Sequence, residues 1–138
     1  MINVHINNQQ GYMSDVSENL AKTGKWHVNT AWLFERAGYK CEYCDLDFLG
    51  SVANYKSFQI DHIIPLSKGG EDINDNKAVS CKTCNWDLKS RWNPAVVCDS
   101  RDRSVLVDTV RQHVKERERF YLDEMQTMKD IVNGRIQN

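Results

Sequence analysis

Asp61-His62-Ile63-Ile64-Pro65, then Asn76, then Cys81-Lys82-Thr83-Cys84-Asn85, is the stretch whose reading decides the fold. A carboxylate and an imidazole sit side by side. An asparagine follows in a polar segment, and a C-x-x-C turn closes on a second asparagine. Upstream stands a matching pair, Cys41-Glu42-Tyr43-Cys44. Two metal sites are expected in one small unit, one closed and structural, the other open.

A C-x-x-C turn presents two thiolates to one ion, and two such turns from distant parts of a chain complete a tetrahedral shell suited to zinc. Cys41 and Cys44 are expected to close with Cys81 and Cys84. Such a shell leaves no position for substrate, so this zinc would fold the chain and not catalyse. Redox pairing is the rival use of C-x-x-C, but no βαβ context supports it. The fifth cysteine, Cys98, stands alone and reads as a small, partly buried apolar residue.

Outward from this centre, Ser57–Ile64 is β-branched with partial alternation and reads as a strand ended by Pro65. Ser67–Asn76 is a polar loop with Gly69-Gly70, and Lys77–Ser80 is a second short strand. Lys82–Arg91 is expected to be a helix that stops before Trp92-Asn93-Pro94. Upstream, Ser14–Thr23 has helix character. Asn29 or Thr30 caps a short helix over Ala31–Ala37 with Gly38 as its stop. Leu46–Tyr55 reads as loop and residues 1–13 as loose. From about Asp102 to Val132 the chain reads as one long helix or two, with Val107 (or Leu106), Val110, Val114, Tyr121, Met125, Met128 and Val132 recurring at helical spacing. That stripe is expected to pack on the domain, with a self-dimerising seam as the alternative.

The chain has 138 residues, 41% hydrophobic and 27% charged, which favours one soluble domain with a modest core. No apolar run is long enough to span a membrane. Met1 to Met13 has neither a basic start nor an apolar stretch, so it is not read as a signal peptide, and a cytoplasmic location is expected. A net charge of −1 does not announce a polyanion partner. Its distribution says more: residues 79–119 carry nine Lys or Arg against six Asp or Glu, while 41–78 carry three against seven. A local cationic surplus is what binds phosphates, by releasing their counterions.

Phosphodiester hydrolysis needs a water deprotonated near neutral pH and a stabilised phosphoryl charge. Histidine suits the first task, and a hard divalent cation on oxygen ligands suits the second. His62 supplies a base, Asp61 a carboxylate oxygen and Asn85 an amide oxygen. Neighbours on a strand point to opposite faces, so Asp61 and His62 can serve one point only where the strand ends or twists. Pro65 fits an end near this pair.

The pattern Cys-x-x-Cys, Asp-His-Ile-Ile-Pro-Leu-Ser-Lys-Gly-Gly, Asn five residues before Cys-x-x-Cys, then Asn, resembles the HNH endonuclease family over residues 29–92. The resemblance implies an α+β fold: a small ββα-metal, treble-clef-like core stabilised by zinc. Residues 1–28 and 93–138 would be helical extensions of unassigned role. It also implies that His62 activates water and that Asp61 ligates magnesium or manganese. Asn76 would hold the loop between the strands and keep His62 oriented, and Asn85 would be the second metal ligand. Asn85 stands where the family's pattern has histidine, as in an HNN variant. An amide oxygen is harder than imidazole and biases the site toward magnesium or manganese.

The implied substrate is DNA, double-stranded, cut to 5′-phosphate and 3′-hydroxyl ends. Lys82, Lys89 and Arg91 are expected to contact its backbone from the helix that carries Asn85, since residues 85 and 89 of an α-helix share a face. Lys68 and Gly69-Gly70 lie either near the phosphates or in an exposed turn. Trp86 and Trp92 are expected in the core more than in a groove. One rival is a non-catalytic treble-clef zinc module binding nucleic acid or protein, which has no need of Asp61 beside His62. Another is an accessory nuclease docked in a larger assembly, or an oligomer, through the C-terminal helix.

Overall fold

The computed structural model describes residues 15–135 together with the strand backbones of His5–Asn7 and Gly11–Met13. It is a small α+β fold. β1 (His5–Asn7) and β2 (Gly11–Met13) form an antiparallel hairpin in register His5↔Met13, within a segment expected to be loose. α1 (Asp15–Lys22) carries acids in its first turn and a lysine in its last, each complementing the helix dipole. The Ser17 hydroxyl donates to the Glu35 carboxylate and so ties α1 to α2 (Val28–Arg36).

α2 starts three residues before the expected Ala31. Its cap is neither Asn29 nor Thr30 but His27, whose Nδ1 accepts the Asn29 N–H at 3.2 Å. Gly38 ends the helix with φ +65, a region that costs glycine nothing. α2 buries Ala31, Leu33 and Phe34. Phe34 centres an aromatic cluster, stacked on Trp26 at 4.7 Å and edge-on to Tyr39 and Phe58 at 5.0 and 4.9 Å.

The span Leu46–Tyr55, expected as loop, contains a short helix, α3 (Val52–Lys56). Ser51 caps it by accepting the Asn54 N–H at 3.0 Å. None of its residues is buried, so it has no apolar periodicity to announce it. β3 (Phe58–His62) and β4 (Lys77–Cys81) pair antiparallel in register Phe58↔Cys81 through His62↔Lys77. This two-stranded sheet sets the site: β3 ends on His62 and β4 ends on the second cysteine pair.

After β4 the expected helix is short and wide. Residues 84–88 form a π-turn, with the Lys89 N–H bonding to the Cys84 carbonyl at 2.8 Å. Ser90 at φ +51 ends it. α4 (Arg103–Val132) is one continuous helix capped by Asp102. Its first half buries Leu106, Val107, Val110 and Val114 against the sheet and both knuckles. Beyond that, Tyr121, Met125, Met128 and Val132 of the same stripe are exposed, so the expectation of packing holds for half the helix. Among the described residues no helix is long and apolar enough to cross a membrane.

Candidate active site

The two knuckles meet. Ligand atoms of Cys41, Cys44, Cys81 and Cys84 all lie within 4.8 Å of one another, and the Cys44 and Cys81 sulfurs are 3.7 Å apart. Tetrahedral zinc with bonds of about 2.3 Å separates its sulfurs by about 3.8 Å. Backbone N–H groups of Cys81 and Cys84 point at the sulfurs of Cys41 and Cys81, at 3.3 and 3.4 Å, a preformed stabilisation for thiolate. Hydrogen bonds from Cys44, Cys81 and Cys84 hold the Cys41 thiol well below its ordinary value, while those with Cys41, Cys44 and Cys81 push Cys84 up. Four crowded thiols resist ionising together unless a cation sits among them. The cluster supports a structural zinc. Cys98 is half-buried and apart from it.

β3 carries Asp61 and His62 to the edge of an open groove of about 610 Å³. The groove is also lined by Asn85, Trp86 and Arg91, and floored by Pro65 and Leu66. The sheet ends here, so two adjacent strand residues can face one space although their side chains leave by opposite faces. Asp61 turns inward and is 9% exposed. One of its oxygens, Oδ2, accepts from the Tyr43 hydroxyl at 2.7 Å and from Lys89 Nζ at 2.9 Å. Burial pushes the Asp61 carboxyl up, against the pull of Lys89 and Tyr43. Burial also drives the Tyr43 hydroxyl far above its ordinary value, so it remains a donor.

His62 turns the other way. Its Nε2 lies 2.9 Å from Asp72 Oδ1, and that carboxylate also takes Lys77 Nζ at 3.3 Å. The bond from His62, then that from Lys77, keeps Asp72 below its ordinary value. An ionised partner assigns the proton to Nε2 and leaves Nδ1 as the nitrogen free to accept one. Asp72 was not singled out by the sequence reading, where it is one acid in a polar loop. Tyr43 was also missed, hidden between two cysteines.

Asn76 is 9% exposed, and its amide bonds only to the loop backbone. Oδ1 accepts from the Ile64 N–H, and Nδ2 donates to the carbonyls of Ile64 and Glu71, each at 2.9 Å. None of these bonds reaches His62, whose ring is held by Asp72 instead. Gly70 closes the same loop. A Cβ there would collide with the Ile64 carbonyl and lie 2.8 Å from Asn76 Nδ2. Gly70→Ala is therefore expected to spread residues 63–76 and to cost about 2–3 kcal/mol, read as a lower denaturant midpoint at unchanged m-value.

Asn85 sits half-buried in the π-turn, where its Nδ2 donates to Gln59 Oε1 at 2.5 Å. That bond leaves the amide oxygen as the end available to a ligand. Lys82 is exposed, its Nζ 5.1 Å from the centre of the Trp86 ring. Arg91 is exposed on the groove wall. Trp86 is 65% exposed, contrary to the core placement expected of it. Trp92 is half-buried and stacks flat on His113 of α4 at 3.9 Å.

Lys89 is the correction. Expected at the surface against a phosphate, it is 2% exposed and turned inward, to Asp61 and to the His62 carbonyl at 3.2 Å. The physical reason is that the face Asn85 and Lys89 share is turned toward β3, where Asn85 meets Gln59 and Lys89 meets Asp61, so the lysine is buried under the sheet instead of facing a phosphate.

Residues 41–91 match the sequence model of the HNH endonuclease family. No curated protein and no solved structure matches the chain.

Proposed function

Taking residues 41–91 as an HNH endonuclease segment, we propose that the protein is a metal-dependent endonuclease that hydrolyses DNA phosphodiester bonds. The observation that carries this reading is the groove itself. A base held at one nitrogen, a carboxylate and an amide oxygen face one open space, beside an exposed tryptophan and arginine.

His62 would take the proton from the attacking water at Nδ1, while the Asp72 carboxylate holds the opposite nitrogen and stabilises the imidazolium that forms. The water oxygen bonds to phosphorus in line with the P–O3′ bond. That bond breaks, and O3′ leaves, taking a proton from solvent water in the open groove. Asp61, through the oxygen not taken by Tyr43 and Lys89, and Asn85, through its amide oxygen, would hold a magnesium or manganese ion. Two hard oxygen donors fit such an ion. When bound, it would supply positive charge at the phosphate and leaving oxygen. Asn76 and Gly70 keep the loop closed, so that Asp72 stays opposite His62.

Lys82 and Arg91 would contact the backbone of double-stranded DNA, and Trp86 a base or sugar next to the cut. Nothing on these surfaces reads as a base-specific module, so low sequence specificity is expected. The test is supercoiled plasmid incubated with the zinc-loaded protein and a panel of divalent ions. Nicked or linear product with magnesium or manganese, and none after EDTA, is the expected result. Retarded plasmid that stays uncut with every ion would instead support a zinc module that only binds.

A further inference from the structure

Lys89 is a fully buried lysine under the candidate cation site, and the mechanism above does not use it. The Lys89 side chain has no exposure, and its two oxygen contacts are Asp61 Oδ2 and the carbonyl of His62, one on each residue of the reactive pair. Burying such an ion pair costs several kcal/mol in desolvation, and apolar replacements of similar volume are often as stable. Lys89 directly follows the π-turn, itself rare, its N–H held on the Cys84 carbonyl at 2.8 Å. The same Oδ2 takes the Tyr43 hydroxyl. One carboxylate oxygen is thus fully engaged from below, and only the other is left for the groove.

We propose that Lys89 is the positioning residue of the cation site, a fixed internal countercharge that aims one Asp61 oxygen into the groove and weakens its hold on a divalent ion. The inference rests on the reading of Asp61 as a cation ligand. Its physical content is twofold. Geometrically, Lys89 and Tyr43 limit Asp61 to single-oxygen ligation. Electrostatically, a positive charge 2.9 Å from the ligand carboxylate opposes a second cation on its far side. A site tuned this way exchanges its ion readily and charges fully when phosphate brings further negative charge into the groove.

The experiment is titration of the zinc-loaded protein with manganese alone, with bound ion read by electron paramagnetic resonance. It is run on wild type and on Asp61→Asn, Lys89→Gln, Lys89→Arg and Tyr43→Phe. Wild type is expected to bind one ion weakly and Asp61→Asn none. Lys89→Gln is expected to bind about tenfold tighter or more, because the opposing charge is gone. Lys89→Arg should return toward the wild-type value. Tyr43→Phe, which removes a hydrogen bond but no charge, should stay within about threefold of wild type. Thermal unfolding supplies a second readout that does not depend on the fraction correctly folded at the outset. With zinc bound and no other divalent ion added, Lys89→Gln should melt below wild type, with Asp61 buried uncompensated, and should gain more from manganese than wild type does. Equal affinity and equal manganese-induced gain in wild type and Lys89→Gln would overturn the role of Lys89. A wild type that binds no manganese, or an Asp61→Asn variant that binds it equally well, would overturn the cation reading itself and this inference with it.

Discussion

Cys41→Ser is expected to release the zinc and unfold the protein. Cys41 is fully buried and sits in the main core cluster, which also holds Cys81, Cys84, the buried β4 residues Ala78 and Val79, and Leu106, Val107, Val110 and Val114 of α4. The two knuckles are the seam where the segment before β3, the end of β4 and the start of the π-turn come together. Without an ion, four thiols within 4.8 Å of one another would have to share that space as neutral groups. Structural zinc in small domains contributes on the order of 10 kcal/mol of apparent folding free energy, as much as the whole stability of a domain this size. A serine hydroxyl does not replace a thiolate on zinc, so most of that contribution is lost. The expected observation is one equivalent of zinc in wild type and none in the variant, with loss of near-ultraviolet dichroism and of a cooperative melt. Chelation of wild-type zinc should produce the same end state. A Cys41→Ser protein that holds no zinc and still melts cooperatively near the wild-type temperature would show that the cluster is packing and not a metal site.

The contrast between this cluster and Lys89 marks how far the sequence could be read. A C-x-x-C turn is a local geometric demand, so its spacing survives in the string of residues, and two such turns name each other as partners. The strand pair was legible for a similar reason. Phe58 and Ile60 alternate up to His62, and Pro65 cannot continue a ladder. Asn76 was selected by its spacing from Cys81, not by its three backbone bonds, which reach back to Ile64 and Glu71. Other features rest on contacts that spacing does not encode. α3 lacks an apolar face, so only its Ser51 cap betrays it. The start of α2 depends on a histidine acting as cap. The pairing of Asp72 with His62 needs the loop to fold back over ten residues. The burial of Lys89 matters most: its partner Asp61 stands on β3, far back in the sequence, and nothing in Cys84-Asn85-Trp86-Asp87-Leu88 says in advance that the turn is a π-turn or which of its faces meets the sheet. Trp86 lies on the groove instead of in the core, and its size and apolarity alone do not tell the two places apart.

His62→Ala is expected to lower the rate of DNA cleavage by about a thousandfold, within the 10²–10⁴ range of a positioned general base. The direction follows from what His62 touches. Its ring is half-exposed at the groove, its one side-chain hydrogen bond among the described residues is to exposed Asp72, and it takes no part in the core cluster. Removing it should therefore change stability by less than about 1 kcal/mol. It should also leave zinc content and manganese binding as in wild type, because neither set of ligands includes it. The expected pattern is a fall in kcat with intact folding, metal loading and DNA affinity. This separates His62 from its neighbour: Asp61→Asn should lose the divalent ion, and cleavage with it. Small imidazole added in solution can enter an open groove of about 610 Å³ where the ring stood, so partial recovery of His62→Ala by millimolar imidazole would assign the lost function to proton transfer itself. If purified wild type and His62→Ala cut plasmid at the same residual rate, with the same metal dependence, the activity does not belong to this groove. The pair Asp61-His62 would then be a structural strand end, and the zinc-stabilised fold a binding module.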